Sequence, residues 1–127
     1  MKLRVSLISL ECDRIRREKL SNQLEYLHIN YQIIDAINGK ELQAIDYFYK
    51  MKCENSKFNG RKYLTPSELG CFLSHKKAIE DFLNSRDDIL LVIEDDITLI
   101  NFNLIDNVKN NKDLILNGMD IFILSFI

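Results

Sequence analysis

The chain has 127 residues, enough for one domain, with 46% hydrophobic and 28% charged residues. That balance excludes a disordered chain, and 4 Gly with 1 Pro exclude collagen-like and linker-like sequences. Lys+Arg 17 against Asp+Glu 19 gives a net charge of -2, so no nucleic-acid partner is expected, because that function needs clustered positive charge. Cys12, Cys53 and Cys71 are odd in number and widely spaced, with no Cys-x-x-Cys pair. They predict neither a disulfide framework nor a zinc site, and point to reduced, partly buried thiols in a cytoplasmic protein.

Residues 5–10 read as a first strand. The segment resembles a signal peptide only superficially: its apolar run ends at Glu11, and no small-residue cleavage site follows. Asp13 is positioned to cap a helix over residues 14–27, with Ile15, Leu20, Leu24 and Leu27 near one face and Arg14, Arg16, Arg17 and Lys19 crowding its start. Residues 31–34 form a short second strand, ended by Asp35-Ala36-Ile37-Asn38-Gly39, whose Asn-Gly pair signals a turn. Residues 42–51 follow as a helix, and the polar stretch 54–62 as a loop.

Thr65-Pro66-Ser67-Glu68 is a helix start, with Thr65 as N-cap, Pro66 where its missing N–H costs nothing, and Glu68 closing a capping box. The helix runs to about residue 84. Leu69, Phe72, Ile79 and Leu83 are expected on its packed face, His75 on the flank and Gly70 opposite, where a small residue permits close backbone approach. Residues 89–93 are five consecutive apolar residues, the pattern of a central strand covered on both faces. A helix over 104–116 and an apolar strand over 121–127 complete the reading. Alternating strands and helices predict an α/β domain with a mainly parallel sheet.

The chemistry concentrates at Glu94-Asp95-Asp96. Three successive carboxylates repel one another unless a cation or solvent offsets them, and open α/β sheets bind ligands beyond the carboxyl ends of their strands. Strand alternation would put Glu94 and Asp96 on one side and Asp95 on the other. Two carboxylates on one side suit a hard divalent ion such as Mg2+ or Mn2+; a solvated acidic turn is the plain alternative.

The stretch Leu64-Thr65-Pro66-Ser67-Glu68-Leu69-Gly70-Cys71-Phe72-Leu73-Ser74-His75, followed by Leu91-Val92-Ile93-Glu94-Asp95-Asp96, resembles glycosyltransferase family 25. Ile8-Ser9-Leu10 and Asp35-Ala36-Ile37-Asn38-Gly39 match in order as well. That family includes bacterial lipopolysaccharide and lipooligosaccharide galactosyltransferases. The resemblance implies a GT-A type, Rossmann-like fold and a UDP-sugar donor, with residues 1–127 as the N-terminal donor-binding part. It implies Glu94 and Asp96 at a divalent metal, and Ser9, Leu10, Asp35 and Glu94 at the donor. His75, touching the donor or orienting the acidic cluster, and Asp95, supporting the ligands from behind or the acceptor side, become the catalytic candidates. Arg14 and Arg17 are weaker candidates for the diphosphate, against a solvated helix face. The acceptor would be a lipopolysaccharide or lipooligosaccharide glycan, met at the inner face of the bacterial inner membrane.

Family members continue well past this length, so the chain is expected to be an N-terminal fragment whose acceptor site and catalytic base lie elsewhere. Two rivals stand beside this reading. A receiver domain would share the strand and acidic pair, but too few residues follow Asp96 for its remaining βα units. A non-catalytic module would pair with a second copy through its apolar last strand.

Overall fold

The structure is a computed structural model; it describes residues 2–54 and 63–97, with Asn103, Asp106 and Asn110. The expected loop at 55–62, the helix at 104–116 and the strand at 121–127 lie outside the described residues.

Three strands form a parallel sheet: β1 (Leu3–Ser9), β2 (Gln32–Asp35) and β3 (Ile89–Glu94). Their order is β2-β1-β3. Among the described residues β1 is therefore the middle strand. Five of its seven residues, 5 to 9, are buried. The five-residue apolar run of β3 had suggested the central place, yet Ile89 to Val92 are only half-buried and Ile93 alone is buried. Continuous apolar sequence reports cover on both faces and is silent about neighbours within the sheet.

Strand alternation sorts the core into two faces. Val5, Leu7 and Ile93 pack against Leu20 and Leu24 of α1 (Arg14–Tyr26). On the other face Ile8 and Ile34 meet Ala78 of α3 (Pro66–Leu83), with Val92 beside them. A third cluster joins Leu69 and Leu73 of α3 to Met51 of α2 (Ala44–Glu54) and to Leu64. Leu7, Leu20, Leu24 and Leu69 are fully buried, each worth about 1.5–3 kcal/mol relative to exposure.

Two expected helix faces need correcting. Ile15 is 83% exposed; at ~100° per residue it lies roughly 140° from Leu20 around the helix, off the packed stripe. On α3 the buried face is Leu69, Gly70, Leu73, Ser74 and Ala78, while Ile79 and Leu83 are exposed. Small residues win that face because it must approach backbone. A Cβ on Gly70 would stand 2.6 Å from both Gly39 N and Ile37 O, and one on Gly39 would stand 1.6 Å from Pro66 O. The close approach anticipated at Gly70 is therefore real. Gly39 serves the same contact, inside a one-turn 3-10 helix (Gly39–Glu41) capped by the Asn38 side chain.

The capping box of α3 forms as expected: Glu68 N–H donates to Thr65 Oγ1 at 3.3 Å, and Thr65 N–H to a Glu68 carboxylate oxygen at 2.8 Å. Asp13 occupies the N-cap of α1 but its side chain makes no cap hydrogen bond. It pairs with Arg16 at 3.3 Å instead, in competition with the helix N–H groups. Cys12 and Cys71 are exposed, where partly buried thiols had been expected. Among the described residues no helix is long and apolar enough to cross a membrane.

Candidate functional site

The three strands run parallel, so their carboxyl ends share one edge. The register sets Ser9 beside Asp35 and Ile8 beside Glu94. Ser9, Asp35 and Glu94, far apart in sequence, thus converge. After β1 the chain passes to β2 on one side, and β3 later adds on the other. The topological switch point therefore falls between β1 and β3, where open α/β sheets have a crevice for ligands.

Ser9 is buried, and its hydroxyl donates to an Asp95 carboxylate oxygen at 2.6 Å. Arg17, on the first turn of α1, donates through Nη2 to Ser9 O at 2.8 Å and to Asp35 Oδ1 at 2.8 Å. Its Nε also reaches Ser9 Oγ at 3.4 Å. Arg17 therefore bolts the ends of β1 and β2 together, a role that a solvated helix face would not supply. Arg14 is exposed. From the α3 side Lys77 Nζ donates to Asp35 O at 3.0 Å. Leu10, next along from Ser9, is half-buried, and its carbonyl accepts from Asp13 N–H at 3.1 Å.

The acidic triplet divides. β3 ends at Glu94, which faces α3, while Asp95 turns to Ser9. The extended geometry on which the alternation rested ends at Glu94: the chain turns, and Ile97 N–H reaches back to Glu94 O at 3.5 Å. Asp95 and Asp96 both line a cleft of about 170 Å3 with Arg16, Lys19, Leu20 and Ile97. Small-molecule pockets usually measure roughly 300–1,000 Å3, so this cleft is smaller than an ordinary ligand site. A larger hollow, about 370 Å3, is lined by Glu25, His28, Ile29, Asn30 and Tyr31. It lies at the opposite, amino end of β2, away from the acidic triplet.

The remaining site residues come from α3. Its position is fixed by the glycine contact and by Ser74, whose buried hydroxyl accepts from Ile37 N–H at 2.8 Å and donates to Gly70 O at 2.6 Å. Cys71 and His75, one turn apart, are thereby brought to Glu94. Cys71 Sγ lies 3.8 Å from Glu94 Oε1 and 3.8 Å from His75 Nδ1, and His75 Nε2 lies 3.7 Å from Glu94 Oε1. Partial desolvation of its sulfur, then the charge of Glu94 and finally that of Asp96, pushes the Cys71 thiol pKa up. Cys71 was not foreseen as a site residue; its four-residue spacing from His75 was the available signal, and Glu94 joins them only through tertiary packing.

A family model described as glycosyltransferase family 25 (LPS biosynthesis protein) matches residues 3–124. The chain belongs to glycosyltransferase family 25. Procollagen galactosyltransferase 1-A of Xenopus laevis is 35% identical over 97 residues, covering 73% of this chain and 16% of the relative. Procollagen galactosyltransferase 2 of Homo sapiens is 29% identical over 98 residues, covering 73% and 15%. A glycosyltransferase 25 family member of Aedes aegypti is 29% identical over 96 residues, covering 73% and 16%. The matched part is thus about 16% of the length of such relatives. No solved structure gives a significant match.

Proposed function

We propose that residues 1–127 form the donor-binding part of a hexosyltransferase that takes a UDP-sugar, UDP-galactose in particular, and passes the sugar to a lipopolysaccharide or lipooligosaccharide glycan. The observation that carries this reading is the meeting of Ser9, Asp35 and the acidic triplet at the switch point of a parallel sheet, in a chain of this family. The galactosyltransferase names of the relatives favour the sugar, and the description of the family model favours the acceptor. An acceptor of that kind would be met at the inner face of the inner membrane.

The donor set is of the kind a hard divalent ion takes: Glu94 and Asp96 are exposed carboxylates two residues apart at the carboxyl end of β3. Bound there, Mn2+ or Mg2+ would supply charge neutralisation at the donor diphosphate. The chain's own residues do the positioning. Ser9 holds the Asp95 carboxylate, Arg17 ties Ser9 to Asp35, and Leu10 with Asp35 borders the nucleotide. His75 faces Glu94 and orients it, and Asp95 supports the acceptor side of the cleft.

Calorimetry with UDP tests the reading. UDP association that requires Mn2+ or Mg2+, and that weakens at least about tenfold in D96N, supports it. Association indifferent to both ions and to D96N overturns it. A dimer that forms through this chain alone and ignores UDP would favour the interaction module instead.

A further inference from the structure

We infer that Cys71, His75 and Glu94 form a second kind of cation site, selective for a borderline-soft divalent ion of the Zn2+ class and open at one coordination position. The three side chains supply one sulfur, one imidazole nitrogen and one carboxylate oxygen, all within 4.8 Å of one another. On a tetrahedral zinc, with Zn–S about 2.3 Å and Zn–N or Zn–O about 2.0–2.1 Å, such ligand atoms stand roughly 3.3–3.6 Å apart. Cys71 Sγ and His75 Nε2 stand 3.8 and 3.7 Å from Glu94 Oε1, and the sulfur stands 3.8 Å from the other ring nitrogen, Nδ1, so rotation of the exposed Cys71 and Glu94 side chains about the ring closes the site.

The histidine is set up for the task. His75 Nδ1 lies 3.0 Å from Cys71 O, the carbonyl one turn earlier. A proton on Nδ1 donates to that carbonyl and leaves the Nε2 lone pair facing Glu94. A backbone carbonyl on the far nitrogen is the usual arrangement behind a metal-bound imidazole. Nε2 and Glu94 Oε1 are then two electron-pair donors facing each other at 3.7 Å, an arrangement that a cation between them stabilises. Protonated His75 paired with Glu94 is the competing state. A thiolate ligand discriminates against Mg2+ and Mn2+, which prefer oxygen. On binding, the Cys71 thiol loses its proton to solvent and the sulfur bonds the metal, with no change of oxidation state. Three protein ligands leave the fourth position for water or a substrate oxygen, the open form of zinc site. The absence of a Cys-x-x-Cys pair did not exclude zinc, because these ligands are assembled from a helix and a strand.

Cobalt titration of the chain under anaerobic, reducing conditions tests the site without any nucleotide. A thiolate-to-cobalt charge-transfer band that saturates stoichiometrically and is displaced by Zn2+ is expected. C71S should abolish it, H75A should weaken Co2+ binding by more than about tenfold, and C12S and C53S should preserve it. Circular dichroism of C71S and H75A confirms that they fold; Cys71 is exposed and His75 flanks the packed face. No band with wild type, a band that persists in C71S, or binding untouched by H75A overturns the inference. Where the donor reading also holds, Zn2+ occupancy engages Glu94 and weakens Mn2+-dependent UDP association, and C71S relieves that antagonism. Failure of UDP to bind at all sinks the donor reading and leaves the cobalt result standing.

Discussion

The contact between Gly39 and α3 is the most demanding feature of the fold, and adding one methyl there tests it. A Cβ on Gly39 would stand 1.6 Å from Pro66 O and 2.5 Å from Pro66 C. Both atoms are backbone in the first turn of α3, so no side chain can swing aside. The 3-10 turn and the helix must separate by more than an ångström. Overpacking of this kind costs about 1–3 kcal/mol and sometimes more, and G39A belongs at the upper end, about 3 kcal/mol. For a domain of this size that lowers the melting temperature by on the order of 10 °C. Ala at Gly70 meets Gly39 N and Ile37 O at 2.6 Å. It also gains about 1 kcal/mol from better helix propensity, so G70A should lose distinctly less, about 1–2 kcal/mol. Urea denaturation followed by circular dichroism measures both. Equal stability of G39A and wild type, or a larger loss in G70A than in G39A, would refute the packing argument.

Three further outcomes are expected. S9A removes the hydroxyl that holds Asp95 and should cost about 1–2 kcal/mol, together with weaker Mn2+-dependent UDP association by calorimetry; unchanged values on both counts would contradict the role of Ser9. Hydrogen bonds from Arg4 and then Gln32 hold the Asp81 carboxyl below its ordinary range. Its contribution is therefore present above the unfolded carboxylate pKa of ~3.9 and lost as pH falls through the lower folded value; acid titration of D81N should show a shallower fall in stability below about pH 4. Partial desolvation and then Glu94 push the Cys71 thiol pKa up, which lowers its thiolate fraction, so iodoacetamide should modify Cys71 more slowly than Cys12. E94Q should accelerate Cys71 only in part, since the desolvation remains. Mass spectrometry of the two peptides reads the rates, and faster labelling of Cys71 in the wild type would count against this environment.

Much of the local structure was legible in the residues. Thr65, Pro66 and Glu68 announce the start of α3 because a capping box is a contact within four residues. The strands followed from apolar runs, and the acidic triplet after β3 marked the right edge of the sheet. Helix faces were less legible. Ile15 and Ile79 looked like core by composition, yet the packed stripe of α1 runs through Leu20 and Leu24, and that of α3 through Gly70, Ser74 and Ala78. A hydrophobic residue off the stripe has no local signal that says so.

By itself, then, the sequence determined the alternating α/β order, the capping box of α3, the acidic end of β3 and, through its motifs, the family. Those features depend on periodicity and on contacts a few residues long. Only the tertiary structure decided that β1 is flanked by β2 and β3, that Ser9 takes Asp95 while Glu94 turns to Cys71 and His75, and that Arg17 locks Ser9 to Asp35. Each of those pairings awaited the docking of α3 through Gly39, Gly70 and Ser74, or the order of strands in the sheet. Close backbone approach and strand order are long-range outcomes that residue spacing does not encode.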